Sequence, residues 1–321
     1  MGEFELIQKV FYRGPSRKAL LGMGDDCALI SANKTLAVSS DMLIAGRHFL
    51  PDAKPFDIGY KSLAVNLSDL AAMGALPVAF TLAIALPNAD ETWLTEFARG
   101  LFELADEYQC ELVGGDTTRT PEGAPLTISI TVMGELSHGG LRRSAAQPGD
   151  HIWMSGTLGG PARALELLLS NAPLTSAPIS SAMDRLLRPA PRVALGLRLQ
   201  HLARAAIDIS DGLVGDLGHV AEQSRLRAEI DVSKLPLAAA LEGLALEQQL
   251  HLALAGGDDY ELAFTADASN RHAIEALSIA LQKEFGFGLT LIGRMQEGEG
   301  VDLMDEDGRP VTLKLKAYEH F

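Results

Sequence analysis

The clearest pattern along the chain is a two-sided helix that begins after Asp57 and ends before Gly74. Apolar and polar residues recur on separate faces of this helix at helical spacing. The apolar face carries Leu63, Leu67 and Leu70, and the polar face carries Ser62, Asn66 and Asp69. A carboxylate near the C-terminal end of a helix opposes the helix dipole, so helix stability does not explain Asp69. Because residues 75–87 are almost wholly apolar, we expect the polar face to line a cleft and Asp69 to bind a cation, with a solvated surface aspartate as the alternative.

Short apolar segments and amphipathic segments follow one another along the rest of the chain. The pattern predicts strands at residues 36–38, 78–86, 111–113, 126–134, 151–154, 205–210, 260–265, 289–292 and 311–315. It predicts further helices at residues 91–108, 161–170, 193–203, 213–223, 246–254 and 273–285. The length of 321 residues allows two domains, and a polar, glycine-rich break places their boundary between residues 136 and 148. We therefore expect domains at residues 1–140 and 141–321.

Acidic residues outnumber basic residues 42 to 27, and the formal net charge is −15. A chain of this charge lacks the basic surface that nucleic acids and anionic membranes require, and it favours metal cations instead. The two cysteines, Cys27 and Cys110, are too few for a disulfide framework or a zinc cluster and suit a reducing cytoplasm. No secretory signal is visible, and Gly74 and Pro77 interrupt the most apolar window. We therefore expect a cytoplasmic protein without a membrane span.

Aspartates recur beside predicted strands and glycines. They are Asp26 after Gly22 and Gly24, Asp41 with Ser39 and Ser40, Asp116 after Gly114 and Gly115, Asp208, and Asp211 after Ser210. If five of the carboxylates converge, their repulsion requires cations, and oxygen ligands without a histidine and cysteine set indicate Mg²⁺. The five are Asp26, Asp41, Asp69, Asp116 and Asp208. Several Mg²⁺ ions beside glycine loops are what a polyanion such as ATP needs, so the pattern predicts phosphoryl transfer. Nothing in the sequence resembles an activated serine or cysteine nucleophile, which favours direct transfer.

Each short motif also has an ordinary structural explanation. Pairs of glycine and aspartate are common in turns, and Asp211 is in position to cap the helix that follows it. His48, next to Arg47, is a candidate ligand for an anion, but a lone histidine is also common as a structural residue. Arg143 suits phosphate oxygens, although such arginines are often merely solvated. Taken one at a time, the motifs leave both explanations open.

In their order and spacing, the motifs resemble those of the thiamine-monophosphate kinase family. The matching segments are residues 2–7, 24–28, 39–41, 46–49, 60–74, 114–118 (Gly-Gly-Asp-Thr-Thr), 207–213 and 256–262 (Gly-Gly-Asp-Asp-Tyr-Glu-Leu). The resemblance implies an α/β (α+β) fold of two domains, as in aminoimidazole ribonucleotide synthetase, in which N-terminal sheets join two copies into a homodimer. It also implies ATP-dependent phosphorylation of thiamine monophosphate to thiamine diphosphate, with several Mg²⁺ ions.

The resemblance further implies a role for each matching polar residue. The implied magnesium ligands are Asp26, Ser39, Ser40, Asp41, Asp69, Asp116, Asp208 and Asp211. The implied ATP contacts are Gly115, Asp116, Arg143 and Ser210, and the implied contacts of thiamine monophosphate are His48, Asp258 and an aromatic residue of the tail, Tyr318. Two positions depart from the family pattern. Asp258 stands where the family commonly has glutamate, and Leu315 stands where an aromatic residue is often found.

Other functions are the alternatives to this kinase. A selenophosphate synthetase of the same fold needs a reactive cysteine in its N-terminal loop, whereas no cysteine precedes Cys27. The hydrogenase-maturation relative uses a C-terminal cysteine, where this chain has Phe321. A metal-dependent phosphatase and a non-catalytic nucleotide-binding module belong to different functional classes. ATP consumption that depends on a phosphate acceptor distinguishes a kinase from both.

Overall fold

The computed structural model describes residues 3–14, 16–20, 28, 30 and 34–313, with side chains from Ile7 onward. Contacts divide the chain into two compact units. The first comprises Met1–Leu70 and Ala75–Gly139, and the second comprises Ala71–Gly74 and Gly140–Phe321. Both units combine a sheet with helices, which confirms the predicted α/β (α+β) fold class. Within the described ranges, no helix is long and apolar enough to cross a membrane.

The first unit is built on a four-stranded sheet. Its strands are β1 (Thr35–Ile44), β2 (Leu76–Leu86), β3 (Glu111–Arg119) and β4 (Thr127–Leu136). Its helices are α1 (Glu3–Val10), α2 (Pro55–Met73) and α3 (Glu91–Glu107). The strand order is β1-β4-β2-β3, so β1 and β3 form the two edges. β4 is antiparallel to β1 and β2, and β3 is parallel to β2.

One face of this sheet is covered and the other is open. Along β4, Ile128, Ile130 and Val132 are fully buried, and the residues between them are partly exposed. This alternation is expected of a strand that is covered on one side. On β1, the open face carries Val38 and Met42, which are 62% and 55% exposed. Large apolar side chains on a regular strand make this open face a candidate contact surface.

The backbone of β3 comes very close to β2 at Gly115. Gly115 has φ +156°, and a Cβ added there would lie 1.9 Å from the carbonyl oxygen of Leu82. We expect Gly115→Ala to lower the free energy of unfolding by about 2–3 kcal/mol, because the two strands would have to separate. Urea unfolding measures this loss. Gly114→Ala is the matched control, since its added Cβ would meet only Thr81 Cγ2 at 3.9 Å, and equal losses in both variants would contradict the explanation.

The second unit is built on a six-stranded sheet. Its strands are β5 (His151–Ser155), β6 (Ala205–Asp208), β7 (Leu226–Asp231), β8 (Leu262–Ala266), β9 (Leu289–Glu297) and β10 (Gly300–Met304). Its helices are α4 (Gly160–Leu169), α5 (Ala177–Leu187), α6 (Val193–Leu199), α7 (Leu213–Ser224), α8 (Leu246–Ala255) and α9 (Arg271–Phe285). The strand order is β10-β7-β9-β5-β8-β6, and only the β7–β10 pair is parallel. Apolar residues of α7 and α8, including Leu217 and Leu254, pack with Ile152 and Ile207 of the strands in one core.

Several predicted strands differ from the observed ones. β1 continues through Ser39 and Asp41 to Ile44, and β3 continues through residues 114–116, so these polar residues lie within strands and not at strand ends. Pairing with neighbouring strands outweighs the low strand propensity of glycine and aspartate there. The strand predicted at 311–315 is wrong for residues 311–313, which have no regular secondary structure. Helices α1 and α5 and strands β7 and β10 were not predicted.

Candidate functional site

Asp69 and Asp41, two of the predicted magnesium ligands, lie where hydrogen bonds join α2 to β1. The Ser39 hydroxyl donates a hydrogen bond to the Asp69 carboxylate. On the preceding turn of α2, the buried Asn66 accepts a hydrogen bond from the backbone N–H of Asp41 at 3.1 Å. Because side chains alternate along a strand, those of Ser39 and Asp41 point to the same face of β1 as the buried Leu43. The structure therefore joins Ser39 to Asp69 and places the Asp41 side chain on the same face of β1 as Ser39.

Two other predicted magnesium ligands, Ser40 and Asp116, lie on the open face of the sheet. Ser40 is next to Asp41 on β1, so its side chain points to the opposite face. Pairing across β2 and β4 connects Asp116 with Met42, so Asp116 lies on the same open face as Met42. β1 and β3 are the opposite edges of the sheet, so three strand spacings, roughly 14 Å along the sheet, separate them. A single chain therefore does not bring Asp116 to the group formed by Asp41 and Asp69.

Two further predicted contacts have a structural function in the fold. His48 lies in the turn after β1, where its Nδ1 accepts a hydrogen bond from the backbone N–H of Ile44 at 3.0 Å. This bond makes Nδ1 an acceptor and assigns the proton of a neutral ring to Nε2. Gly115, a predicted ATP contact, is needed for the close approach to Leu82. The ligand roles of His48 and Gly115 stay predictions.

In the second unit, Asp208, Ser210 and Asp211 lie where β6 leads into α7. Asp208 ends β6 and is buried, with 6% of its surface exposed. Asp211 does not cap α7, because the N-cap residue is Gly212. The Asp216 carboxylate, in the first turn of α7, accepts hydrogen bonds from the backbone N–H groups of Ser210 at 2.9 Å and Asp211 at 3.1 Å. Asp216, which the sequence analysis missed, therefore holds the turn that presents Ser210 and Asp211.

Burial raises the pKa of Asp216 to about 7, although the backbone N–H groups that donate hydrogen bonds to its carboxylate oppose the shift. In the unfolded chain an aspartate titrates near pH 4, so between about pH 4 and pH 7 the folded state binds more protons and stability falls as pH rises. We expect Asp216→Asn to remove this contribution. The free energy of unfolding of the variant should then fall less steeply with rising pH, by on the order of 1 kcal/mol per pH unit. Urea unfolding at several pH values in EDTA measures it. Equal pH dependence of the variant and the wild type would contradict the assigned pKa.

Asp258, a predicted contact of thiamine monophosphate, lies between α8 and β8. Its backbone N–H donates to the carbonyl of Ser210 at 2.9 Å, so the predicted substrate and ATP residues are neighbours in the second unit. The next two acids, Asp259 and Glu261, are buried, and the sequence analysis gave them no role. The available signal was an acid next to a predicted apolar strand, the same signal that singled out Asp208.

Arg143, a predicted ATP contact, lies apart from the Ser210 turn along the chain. Arg143 begins a short 3-10 helix, Arg143–Ala145, and is exposed. The backbone carbonyl of Arg143 accepts a hydrogen bond from the Ser224 hydroxyl at 2.7 Å. Asp26 and Tyr318 lie outside the described residues, as does Leu315. Their predicted roles stay predictions.

The group of Ser39, Asp41 and Asp69 fits Mg²⁺ in its chemistry. It offers only oxygen atoms, which Mg²⁺ prefers to nitrogen or sulfur ligands. Within the described part of the chain, no three His, Cys, Asp or Glu side chains form a group that could hold a metal ion. Mg²⁺ in phosphoryl-transfer sites is usually bound through one or two carboxylates together with water and substrate phosphates. Two carboxylates and a hydroxyl therefore match the protein's share of such a site.

Comparisons with known proteins identify the family. The chain matches the models of AIR synthase related protein, N-terminal domain, over residues 24–136, and AIR synthase related protein, C-terminal domain, over residues 147–306. It is 46% identical to thiamine-monophosphate kinase of Escherichia coli (strain K12), covering 100% of this chain and 98% of that protein. The crystal structure of thiamine-monophosphate kinase from Stenotrophomonas maltophilia K279a aligns with a TM-score of 0.82 at 48% identity, covering 92% of this chain and 93% of that chain. The structure of AaThiL complexed with AMPPCP and TMP aligns with a TM-score of 0.77 at 32% identity, covering 100% of this chain and 97% of that chain. These matches confirm the resemblance found in the sequence, and the chain belongs to the thiamine-monophosphate kinase family.

Proposed function

We propose that this chain phosphorylates thiamine monophosphate to thiamine diphosphate, with ATP as the phosphoryl donor and Mg²⁺ as the cofactor. The observation that carries the proposal is the similarity over the full length to thiamine-monophosphate kinases, one of which is complexed with AMPPCP and TMP. The oxygen ligands at Ser39, Asp41 and Asp69 support it, because both substrates are anions that approach each other only when their charge is neutralised.

In this reaction the chain's own residues bind the metal ion and keep its ligands in the correct orientation. Mg²⁺ supplies charge neutralisation and alignment of the phosphates when it is bound. Asp41 and Asp69 are the carboxylates that would hold it in the first unit, and the hydrogen bond from Ser39 fixes the orientation of Asp69. Asn66 fixes the backbone of Asp41. We propose several ions and direct in-line transfer, since no step requires a protein nucleophile.

The first test is whether ADP formation depends on the acceptor. A kinase forms ADP from ATP only when thiamine monophosphate is present. Phosphate release without an acceptor would indicate a phosphatase, and ATP binding without turnover would indicate a nucleotide-binding module. Both results would contradict the proposal.

A second test concerns the transfer step. ATP with a chiral γ-phosphorus should give a product with inverted configuration at that phosphorus, whereas retention or a phosphorylated protein would contradict direct transfer.

We also propose that two copies of this chain associate through the open face of the first unit's sheet. Val38 and Met42 expose most of their apolar surface on that face, and a second sheet packed there would remove it from water. The isologous contact of a two-fold dimer needs one such self-complementary face. Ser40 and Asp116 lie on the same face, so both residues would border the interface.

In light scattering at micromolar concentration we expect a mass about twice the chain mass of 34.2 kDa. Val38→Glu should shift the mass toward the monomer, because it places a charge in an apolar contact. Leu169→Glu is the control, since Leu169 is 66% exposed on α4 of the second unit and does not belong to the sheet of the first. A monomeric wild type, or dissociation only by Leu169→Glu, would contradict the proposed interface.

A further inference from the structure

Two residues of the segment between α8 and β8 have a left-handed backbone. Asp258 has φ +68° and Tyr260 has φ +47°. This conformation is uncommon for residues other than glycine, because the Cβ atom then crowds the backbone. Such strain persists only where the surrounding structure enforces it. Asp258 is also a predicted substrate contact, so the strained residue is one with a predicted function.

A buried charged group lies directly beneath this segment. Glu261 is fully buried, and its carboxylate accepts hydrogen bonds from Ser155 Oγ at 2.5 Å, Arg185 Nη2 at 2.8 Å and Arg192 Nε at 2.7 Å. Burial alone would raise the pKa of Glu261, but Arg192, Arg185 and the hydroxyl outweigh it, so the pKa lies below its ordinary value. Gly156 leaves room for this carboxylate, because an added Cβ would lie 2.0 Å from Glu261 Oε1.

Arg185 connects the buried carboxylate to the backbone of the strained segment. Besides Glu261, its guanidinium donates to the carbonyl of Asp259 at 3.1 Å and to the carbonyl and hydroxyl of Thr157 at 3.1 and 2.9 Å. The Asp259 side chain is fixed as well, since both of its carboxylate oxygens lie 3.0 Å from the backbone N–H of Gly159. These contacts with Arg185 and Gly159 thus fix residues 259 and 261. The backbone at Asp258 and Tyr260 has to adopt a conformation that fits the two fixed residues.

The backbone of the same segment is hydrogen-bonded to the turn after β6. The N–H of Asp258 donates to the carbonyl of Ser210 at 2.9 Å, and the N–H of Tyr260 donates to the carbonyl of Ile209 at 2.8 Å. The N–H of Ile209 donates in return to the carbonyl of Glu261 at 2.8 Å. Ser210 has a second support of its own in the Asp216 carboxylate. Loss of the contacts that Arg185 and Glu261 make with the segment would therefore displace Asp258 more than Ser210.

We propose that Glu261 and Arg185 are positioning residues for the acceptor substrate. They hold Asp258 in its left-handed conformation beside Ser210, and they act through Asp258 without touching the substrate themselves. The proposal rests on the proposed function and on the predicted role of Asp258. It states that weakening this buried group impairs the binding of thiamine monophosphate and leaves the binding of ATP nearly unchanged.

Arg185→Lys tests the proposal, because it keeps the charge and loses the planar fork that joins Glu261, Asp259 and Thr157. We expect KM for thiamine monophosphate to rise at least fivefold and KM for ATP to change less than twofold. The matched control is Arg188→Lys, since Arg188 follows the same helix and pairs with Asp184 in an exposed ion pair. The control should leave both KM values within twofold of the wild type.

A second comparison separates positioning from simple stabilisation. In an Asp258→Ala background, Arg185→Lys should raise KM for thiamine monophosphate no further, while it lowers Tm by as much as it does in the wild type. An equal rise of KM in both backgrounds, or equal effects on the two substrates, would overturn the proposal. If Arg185→Lys does not fold, Ser155→Ala replaces it, since it removes one donor to Glu261. A wild type that forms no thiamine diphosphate would instead contradict the proposed function.

Discussion

Replacing Asp69 with asparagine is expected to lower kcat by about 10²–10³-fold, or ~3–4 kcal/mol in activation free energy. The asparagine keeps an oxygen that can accept the hydrogen bond from Ser39, so the contact between α2 and β1 stays intact. The variant loses the negative charge that binds Mg²⁺ beside Asp41, and the Mg²⁺ concentration for half-maximal activity should rise. Steady-state kinetics over a Mg²⁺ titration measure both effects.

Glu103→Gln is the matched control, because it removes one carboxylate charge from an exposed position of α3 in the same unit. It should leave kcat and the Mg²⁺ dependence unchanged, and neither variant should lower Tm by more than a few degrees. We expect Asp116→Asn to lower kcat to a similar extent as Asp69→Asn, as the predicted ligand role of Asp116 requires. Wild-type turnover in Asp69→Asn, or full activity of the wild type in EDTA, would refute the metal-binding role.

Glu261→Gln is expected to lower the free energy of unfolding by about 3–5 kcal/mol, the largest loss for a single side chain of the second unit that we predict. The substitution preserves the shape of the side chain but leaves Arg185 and Arg192 without their shared negative partner. Arg192 is only 14% exposed and also stacks 4.0 Å above the ring of Phe287, so it cannot recover full hydration by moving away. Urea unfolding at neutral pH measures the loss.

Glu284→Gln provides the comparison for a carboxylate of the same type at the surface. Glu284 pairs with Arg198 through two contacts of 2.9 and 2.8 Å, and both side chains are substantially exposed. Such a pair contributes at most about 1 kcal/mol, because water solvates both partners when the pair is broken. A loss in Glu261→Gln no greater than that in Glu284→Gln would show that the two arginines do not depend on Glu261.

Local sequence patterns predicted most of the long helices, although they missed α1 and α5. The apolar residues of α2 recur every turn, and Leu63 and Leu67 are fully buried as their spacing requires. The expectation that the polar face of α2 lines a cleft holds less well, because Ser62 and Asn66 are completely buried. Asn66 satisfies its polar groups by bonding to the carbonyl of Ser62 and the N–H of Asp41. Tertiary hydrogen bonds of this kind are not encoded in the spacing of residues.

The arrangement of the predicted ligands could not be read from the sequence, because it depends on strand order. Asp41 and Asp116 each follow small residues in similar motifs, yet β1 and β3 lie at opposite edges of one sheet. The importance of Glu261 was hidden for the same reason, since Arg185 and Arg192 precede it by 76 and 69 residues. The resemblance to a family supplied the function, and the structure added the contacts that hold Asp258 and Ser210 in place.

The most direct measurement is the identification of the product formed by the purified protein. The protein is incubated with ATP, Mg²⁺ and thiamine monophosphate, and the thiamine compounds are separated by chromatography and identified by mass. We expect thiamine diphosphate to form in a one-to-one ratio with ADP, and only when all three components are present. Release of free phosphate without thiamine diphosphate, or no turnover by a folded protein, would contradict the assignment of this chain as a kinase of thiamine monophosphate.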